Sequence, residues 1–142
     1  MTTLSDSAWE ARRNSPISVL ARKILLASPM AKRLPFKEVS IGSWRPEAAK
    51  CHDNAKHWVA SNKGCRVVYG WLVESFGVFH YLYAHSVVQD ADGILFDITP
   101  YLSANRQILP FVPHSSDDAQ FNHSILAGGR IVACNDDTAY YG

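Results

Sequence analysis

The sequence has few cysteines, no long apolar run and almost no excess charge, and each absence narrows the class of protein. Its three cysteines, Cys51, Cys65 and Cys134, include no CxxC pair and cannot all pair within one chain. This pattern fits a reducing compartment better than a disulfide scaffold. No apolar stretch approaches the length that spans a bilayer. Asp6 and Glu10 precede any apolar run, which is unlike a secretory signal. We therefore expect a cytoplasmic protein, or one delivered without an N-terminal signal peptide.

The small net charge argues against a general affinity for nucleic acid or membranes. The formal charge is +1, but residues 1–50 carry +5 and residues 51–142 carry −4. A charge close to zero provides little non-specific attraction to a polyanion. We interpret the asymmetry as two surface patches. The alternative is a basic N-terminal half that contacts an acidic partner.

A chain of 142 residues with 47% hydrophobic and 19% charged residues is typical of one soluble domain. Such a chain buries enough surface to fold without a disulfide or a metal. We divide this single domain, residues 1–142, into a helical arm at 1–34, a candidate catalytic core at 44–100 and additional strands and loops at 101–142.

The N-terminal arm is predicted to contain one clear helix. Residues 1–14 are polar and mixed, which indicates a short helix or poor order. Ser15 and Pro16 are typical of a helix start. Apolar residues then recur at helical spacing up to Pro29, which ends the pattern. We expect a surface helix that packs on the domain; the alternative is a helix that binds a membrane surface or a partner.

A second helical pattern follows Pro46. Cys51, Ala55, Trp58 and Val59 share one face, and Gly64 is a plausible stop. Residues 34–47 before it read as a loop, with a short strand possible at Val39–Ile41. Cys51 is thus predicted near the N-terminal end of a helix, on its inward side.

The rest of the chain has the period of β-strands. Strands are predicted at Arg66–Val73, Val78–Val88 and Ile94–Thr99, with further strands possible at Gln107–Val112 and Arg130–Cys134. Gly70 marks a bulge or a close approach within the first strand. The polar stretch His114–Gly129 is predicted to be a loop. The expected fold is α+β, with a Cys-bearing helix packed on a small antiparallel sheet.

Cys51, His85 and Asp97 are the residues that point most directly to chemistry. A thiol attacks, an imidazole moves protons and a carboxylate orients the imidazole. His85 and Asp97 share a strand face only if the hairpin loop is Ala91–Gly93, three residues long, because a two- or four-residue loop reverses the face. The helix N-terminus favours the Cys51 thiolate, and the Cys51 amide can point at a developing oxyanion.

These residues and their surroundings resemble the transglutaminase-like branch of the papain-like cysteine enzymes. The Cys51 helix leads into R-V-V-Y-G-W at 66–71, then into H-S-V-V from His85, and then into D-I-T-P from Asp97. The resemblance covers about residues 44–100. It implies a papain-like core and a thiol-dependent hydrolase of amide bonds, that is, a peptidase, an amidase or a glutamine deamidase. The implied substrate is a peptide or protein amide, and no cofactor or metal is needed.

The sequence departs from the pattern of that superfamily at the oxyanion site. Papain-like proteases usually place a Gln upstream of the nucleophile, but every Gln here lies after Cys51. Trp44 and Asn54 are the candidates for the second oxyanion donor. Trp71 is a further candidate for contact with substrate.

The sequence also allows several alternatives. His80 is a rival base on the opposite strand face, whereas His52 and His57 are predicted to face solvent. A zinc site formed by Cys51, His52, His85 and Asp97 would be strained, because adjacent helix residues point about 100° apart. An amine in place of water would give a transglutaminase. A non-catalytic protein-binding module is the alternative from another class.

Overall fold

The computed structural model describes residues 6–102 and 108–142. Within these ranges the chain has an α+β fold, as predicted, with four α-helices and a six-stranded antiparallel sheet. The helices are α1 (Asp6–Arg13), α2 (Pro16–Ala27), α3 (Cys51–Ser61) and α4 (Asp118–Leu126). The strands are β1 (Arg66–Ser75), β2 (Phe79–Gln89), β3 (Leu95–Phe96), β4 (Phe111–Pro113), β5 (Arg130–Cys134) and β6 (Ala139–Tyr141).

The long central strand β2 organises the sheet, whose order is β4-β1-β2-β5-β6. On one edge β2 pairs with β1 from His80 to Gln89. On its other edge it pairs with β5 at Phe79–Tyr83 and with β3 at Val88–Gln89. The part of β2 around His85 therefore has a strand neighbour on one side only. The N-terminal turn of α3 lies beside this gap.

Helix α2 covers one face of the sheet. It begins as predicted, because Ser15 caps it by accepting a hydrogen bond from the Ser18 amide and Pro16 occupies its first turn. Leu20, Ala21 and Ile24 are buried, and α2 packs against β5 and β6. The predicted packing of this helix on the domain is thus confirmed. None of the described helices combines the length and the apolar character needed to cross a bilayer.

Two predicted connections have a different structure. The stretch His114–Gly129 contains α4, so its prediction as a loop was wrong. The Asp117 side chain caps α4 by accepting a hydrogen bond from the Gln120 amide, and Phe121 is fully buried. The stretch is mostly polar and α4 packs through only a few residues, so its sequence did not indicate a helix. The strand proposed at Val39–Ile41 is absent, and Ile41 makes only an isolated bridge with Trp44.

The predicted strands are confirmed with shifts at their ends. The third strand is limited to Leu95–Phe96, because Asp97 turns the chain by accepting a hydrogen bond from the Thr99 amide. The strand proposed at Gln107–Val112 starts later, at Phe111; Gln107 lies outside the described residues. The strand at Arg130–Cys134 has the predicted bounds.

The hairpin between β2 and β3 has the three-residue loop on which the site depends. The Asp90 amide donates to the Ile94 carbonyl at 3.0 Å, and the next pairs are Gln89 with Leu95 and Val88 with Phe96. The Asp90 carboxylate accepts hydrogen bonds from the amides of Asp92 and Ile94, which stabilises the turn. This register directs Asp97 to the face of His85.

Gly70 is a point of close approach, as predicted. It lies opposite His85 in the β1–β2 pairing and opposite Pro113 on β4. A methyl group there would overlap the Phe111 ring and lie within 2.5 Å of the Val112 carbonyl oxygen. The Phe111 ring in turn lies edge-on to His85, with centroids 6.4 Å apart. Because Gly70 has no side chain, there is room for the Phe111 ring, which packs against His85, the candidate base.

We expect Gly70→Ala to lower the free energy of unfolding by about 1–3 kcal/mol through overpacking, as measured by chemical denaturation. The same change in a Phe111→Leu background should cost less, because the ring that meets the new methyl is smaller. If Gly70→Ala lowers the free energy of unfolding equally in both backgrounds, the Phe111 ring is not the source of the strain.

Candidate functional site

Cys51 is the first residue of α3 and is half-buried in the gap beside β2. The imidazoles of His52 and His85 are the groups that act on its thiol. Burial alone would raise the pKa of the Cys51 thiol, but hydrogen bonding to these imidazoles and their positive charge lower it to about 6. A group with this pKa is largely a thiolate at neutral pH, which is the reactive form.

His85 joins the thiol to Asp97. Its Nε2 lies 2.6 Å from Asp97 Oδ2, which leaves Nδ1 as the ring nitrogen that can meet Cys51. Both members of the pair are buried, with 6% and 2% of their surface exposed. Burial would lower the pKa of His85, but the hydrogen bonds to Asp97 and Cys51 raise it to about 9. The lowered pKa of Cys51 and the raised pKa of His85 favour a thiolate–imidazolium pair at pH values between them.

Asp97 is held ionised by three donors. Oδ2 accepts from His85 and, at 2.5 Å, from the Tyr101 hydroxyl, while Oδ1 accepts from the Thr99 amide at 3.0 Å. Burial would raise the pKa of Asp97, but these hydrogen bonds, led by the one from His85, bring it below its ordinary value. The Asp97 backbone is also fixed, since its amide and carbonyl pair with the Pro35 carbonyl and the Lys37 amide.

Tyr101 is a site residue that sequence reasoning missed. Its ring is stacked near that of His85, with centroids 5.9 Å apart, and its hydroxyl reaches the carboxylate. It follows Pro100, where the sequence indicates only the end of a strand. Its spacing of four residues after Asp97 becomes informative only once the turn at Thr99 is known.

His52 lies in the site, so its prediction as a solvent-facing residue was wrong. Its Nδ1 lies 2.5 Å from the Oγ of Ser86, which is 1% exposed, and its ring meets Phe121 edge-on. The helix turns about 100° per residue, and the gap in the sheet accepts both Cys51 and its neighbour. The pKa of the Cys51 thiol is therefore influenced by two imidazoles, those of His52 and His85.

Asn54, a candidate oxyanion donor, is engaged elsewhere. It is 3% exposed, and its Nδ2 donates to the Glu47 carbonyl and to Thr99 Oγ1 at 2.8 and 3.0 Å. Both amide hydrogens are therefore used. Asn54 instead joins α3 to the segment that carries Asp97, which helps to position the nucleophile relative to the carboxylate.

The two tryptophan candidates also lie outside the cleft. Trp44 packs against α3 beside His57, with ring centroids 4.2 Å apart. Trp71 is fully buried and donates from Nε1 to His114 Nδ1. Gly70 lies opposite His85, so strand alternation directs Trp71 to the other face of the sheet. Neither indole lines the space around Cys51.

The amide at the start of α3 remains the structural candidate for an oxyanion donor. Lys50, the N-cap residue, makes no side-chain hydrogen bond to the helix. The first-turn amides, including that of Cys51, therefore have no side-chain cap, and they carry the positive end of the helix dipole. Ala49, which precedes the N-cap residue, has a φ of 65°, an unusual backbone conformation for a residue with a side chain.

A cleft of about 710 Å³ opens over Cys51 and His85. Its walls include Tyr101, Leu72, Tyr83 and Arg130. The rival base His80 is at the far end of β2, where its Nδ1 lies 2.8 Å from Ser75 Oγ. Among the described residues, no group of three or more His, Cys, Asp or Glu side chains is arranged to hold a metal ion.

Comparisons with protein-family models, with curated proteins and with solved structures find no significant match to this chain. The resemblance to the transglutaminase-like enzymes therefore stays a prediction based on residues 44–100.

Asp97→Asn should lower the pKa of His85 steeply from about 9, because burial, which opposes the charged imidazole, would act without the carboxylate. Titration of the His85 ring resonances by NMR measures this shift. Asp92→Asn, in the exposed hairpin loop, is the matched control and should leave the pKa of His85 unchanged. A pKa that stays near 9 in Asp97→Asn would contradict the assigned cause.

His52→Ala should raise the pKa of the Cys51 thiol above about 6, because one of its hydrogen bonds is lost. The pH dependence of Cys51 alkylation, resolved by mass spectrometry, reports this pKa. His57→Ala, on the exposed side of the same helix, is the control. Equal pH profiles for the two variants would show that His52 does not stabilise the thiolate.

Proposed function

We propose that this chain is a thiol-dependent hydrolase of amide bonds, built on a core of the transglutaminase-like, papain-like type. The observation that carries the proposal is the buried hydrogen bond between His85 and Asp97 beside Cys51, with the pKa of the thiol lowered and that of the imidazole raised. A nucleophile, a base and an orienting carboxylate within hydrogen-bond reach form the arrangement that acyl transfer requires.

The first half of the reaction forms a thioester. The Cys51 sulfur attacks the carbonyl carbon of the amide, and the carbonyl oxygen takes up the electron pair. The Cys51 backbone amide at the helix N-terminus is the donor for this oxyanion. When the intermediate collapses, the carbon–nitrogen bond breaks, and the imidazolium of His85 gives its proton to the leaving amine.

The second half releases the acid. His85, now neutral, takes a proton from water as the water oxygen attacks the thioester carbon. The carbon–sulfur bond then breaks and restores the Cys51 thiolate beside the His85 imidazolium. Throughout the cycle Asp97 holds the ring through Nε2, which keeps Nδ1 towards the sulfur and stabilises the positive charge.

Water is the acceptor that we favour. The cleft reaches solvent beside Cys51, and a small domain needs no further machinery to supply water. The proposed substrate is a peptide or protein amide. A non-catalytic binding module would have no need for a buried carboxylate that holds an imidazolium against a thiolate, because that arrangement must be stabilised against its cost of desolvation.

Selective alkylation and turnover test the proposal together. Below neutral pH, Cys51 should react with iodoacetamide much faster than Cys65 and Cys134, and His85→Ala should abolish this selectivity. Amine release from a mixed library of peptide amides should rise with pH through about 6 and fall through about 9, as the thiolate forms and the imidazolium is lost.

Cys51→Ser should abolish amine release, whereas Cys65→Ser is the matched control and should retain it. Release that survives in Cys51→Ser, or a Cys51 that reacts no faster than Cys65, would rule out a Cys51 nucleophile.

A further inference from the structure

The oxyanion site lacks a side-chain donor among the residues that the sequence suggests for it. Asn54 uses both amide hydrogens elsewhere, and the indoles of Trp44 and Trp71 lie outside the cleft. The backbone amide of Cys51 is then a single donor, whereas sites of this kind combine several donors aimed at the developing charge. A polar N–H in the cleft beside Cys51 would complete the site.

His52 is the side chain that meets this requirement. It follows Cys51 in the first turn of α3 and lines the same cleft. Hydrogen bonding to its imidazole is one of the causes that lower the pKa of the Cys51 thiol. The oxyanion forms two bonds away from the attacking sulfur, so a donor that acts on the sulfur is also close to that oxygen.

Ser86 determines which ring nitrogen of His52 carries the hydrogen. The Ser86 side chain is buried, and its Oγ lies 2.5 Å from His52 Nδ1. A buried hydroxyl needs an acceptor for its hydrogen, and among the described residues His52 Nδ1 is the hydrogen-bonding partner of this Oγ. With Ser86 as the donor, Nδ1 is an acceptor and Nε2 carries the ring hydrogen. Nε2 is then the nitrogen that is left to face the cleft.

The position of the His52 ring is fixed by more than this hydrogen bond. The ring meets Phe121 edge-on, with centroids 5.8 Å apart, and Phe121 is fully buried. Ser86 directly follows His85 in β2, so the same strand anchors both imidazoles. A donor that is already oriented needs no reorganisation when negative charge develops on the substrate.

The two imidazoles have different partners and therefore suit different tasks. His85 is paired with the carboxylate of Asp97, which favours the charged ring that gives up a proton. His52 is paired with a hydroxyl, which carries no charge and leaves Nδ1 unprotonated. An N–H of this kind can donate a hydrogen bond to an oxyanion while His85 transfers the proton to the leaving amine.

We propose that the Nε2–H of His52 is the second oxyanion donor and that Ser86 is a positioning residue that holds the ring in the required tautomer. In the resting site this N–H faces the Cys51 thiolate. When the sulfur attacks, negative charge moves from the sulfur to the carbonyl oxygen, and the N–H donates to that oxygen together with the Cys51 backbone amide. The inference rests on the proposed function, since it takes Cys51 as a nucleophile that attacks a carbonyl.

Two reagents distinguish a donor to the oxyanion from a group that only stabilises the thiolate. With para-nitrophenyl acetate, the Cys51 sulfur bonds to the carbonyl carbon through a tetrahedral oxyanion, and para-nitrophenolate leaves. With iodoacetamide, the sulfur displaces iodide from a saturated carbon and no oxyanion forms. Both rates are measured at Cys51 by mass spectrometry as a function of pH. The plateau rate of the fully ionised thiol is compared, so that a changed pKa of Cys51 does not affect the result.

His52→Ala should lower the plateau rate of acylation about 10²-fold, as expected for the loss of one oxyanion donor. The plateau rate of alkylation should stay the same or rise slightly, because a thiolate of higher pKa is the better nucleophile. His52→Gln places an amide N–H near the position of Nε2 and should restore part of the acylation rate. His57→Ala, on the exposed side of the same helix, is the matched control and should leave both rates unchanged.

Ser86→Ala should give a smaller loss of acylation, because the ring remains but its tautomer is no longer fixed. NMR of the His52 ring nitrogens should then show the Nε2–H tautomer mixed with the Nδ1–H tautomer, a change that a merely structural role of Ser86 would not cause. An unchanged tautomer in Ser86→Ala would refute the positioning role.

An equal ratio of acylation to alkylation in the wild type and in His52→Ala would overturn the oxyanion role of His52. In that case the proposed function would stand if wild-type Cys51 is still acylated much faster than Cys65. Acylation of wild-type Cys51 no faster than that of Cys65 would refute the proposed function, and the inference with it.

Discussion

The ion pair between His85 and Asp97 is the interaction on which the candidate site depends. Two charges removed from water lose hydration energy that their mutual attraction offsets only when the remaining hydrogen-bonding capacity is satisfied. Here the carboxylate also accepts from Tyr101 and the Thr99 amide, and its backbone is fixed by the segment around Pro35. The rigid carboxylate in turn keeps the imidazole charged, and the charged imidazole stabilises the thiolate.

Cys51, His85 and Asp97 come together where one edge of β2 has no strand neighbour. Strands β3 and β5 both pair with the same edge of β2 but leave its middle uncovered. The first turn of α3 lies beside this gap, so Cys51 reaches His85 while His52 reaches Ser86 on the following residue. Asn54 then joins the helix to Thr99, two residues after the carboxylate. A shift of α3 would therefore affect the nucleophile and the carboxylate together.

The parts of this arrangement that were predictable from sequence are those set by local periodicity. The alternation along β2 and the three-residue loop at Ala91–Gly93 together place His85 and Asp97 on one face, as the register confirms. The position of Trp71 was not predictable in the same way, because its face depends on the register between β1 and β2, which is set by the turn after Ser75. His52 and Tyr101 join the site through tertiary contacts that have no periodic signal. The apolar content of α4 is too sparse to distinguish it from a loop.

The proposed chemistry requires Cys51 to exist as a thiolate beside a charged His85 at neutral pH. The most direct measurement is the ultraviolet absorbance of the thiolate as a function of pH, taken as the difference between the wild-type chain and Cys51→Ser. We expect a transition with an apparent pKa of about 6. A single transition near the ordinary value of 9.0 would contradict it, because the thiol would then be neutral and unpaired where the chemistry needs an ion pair.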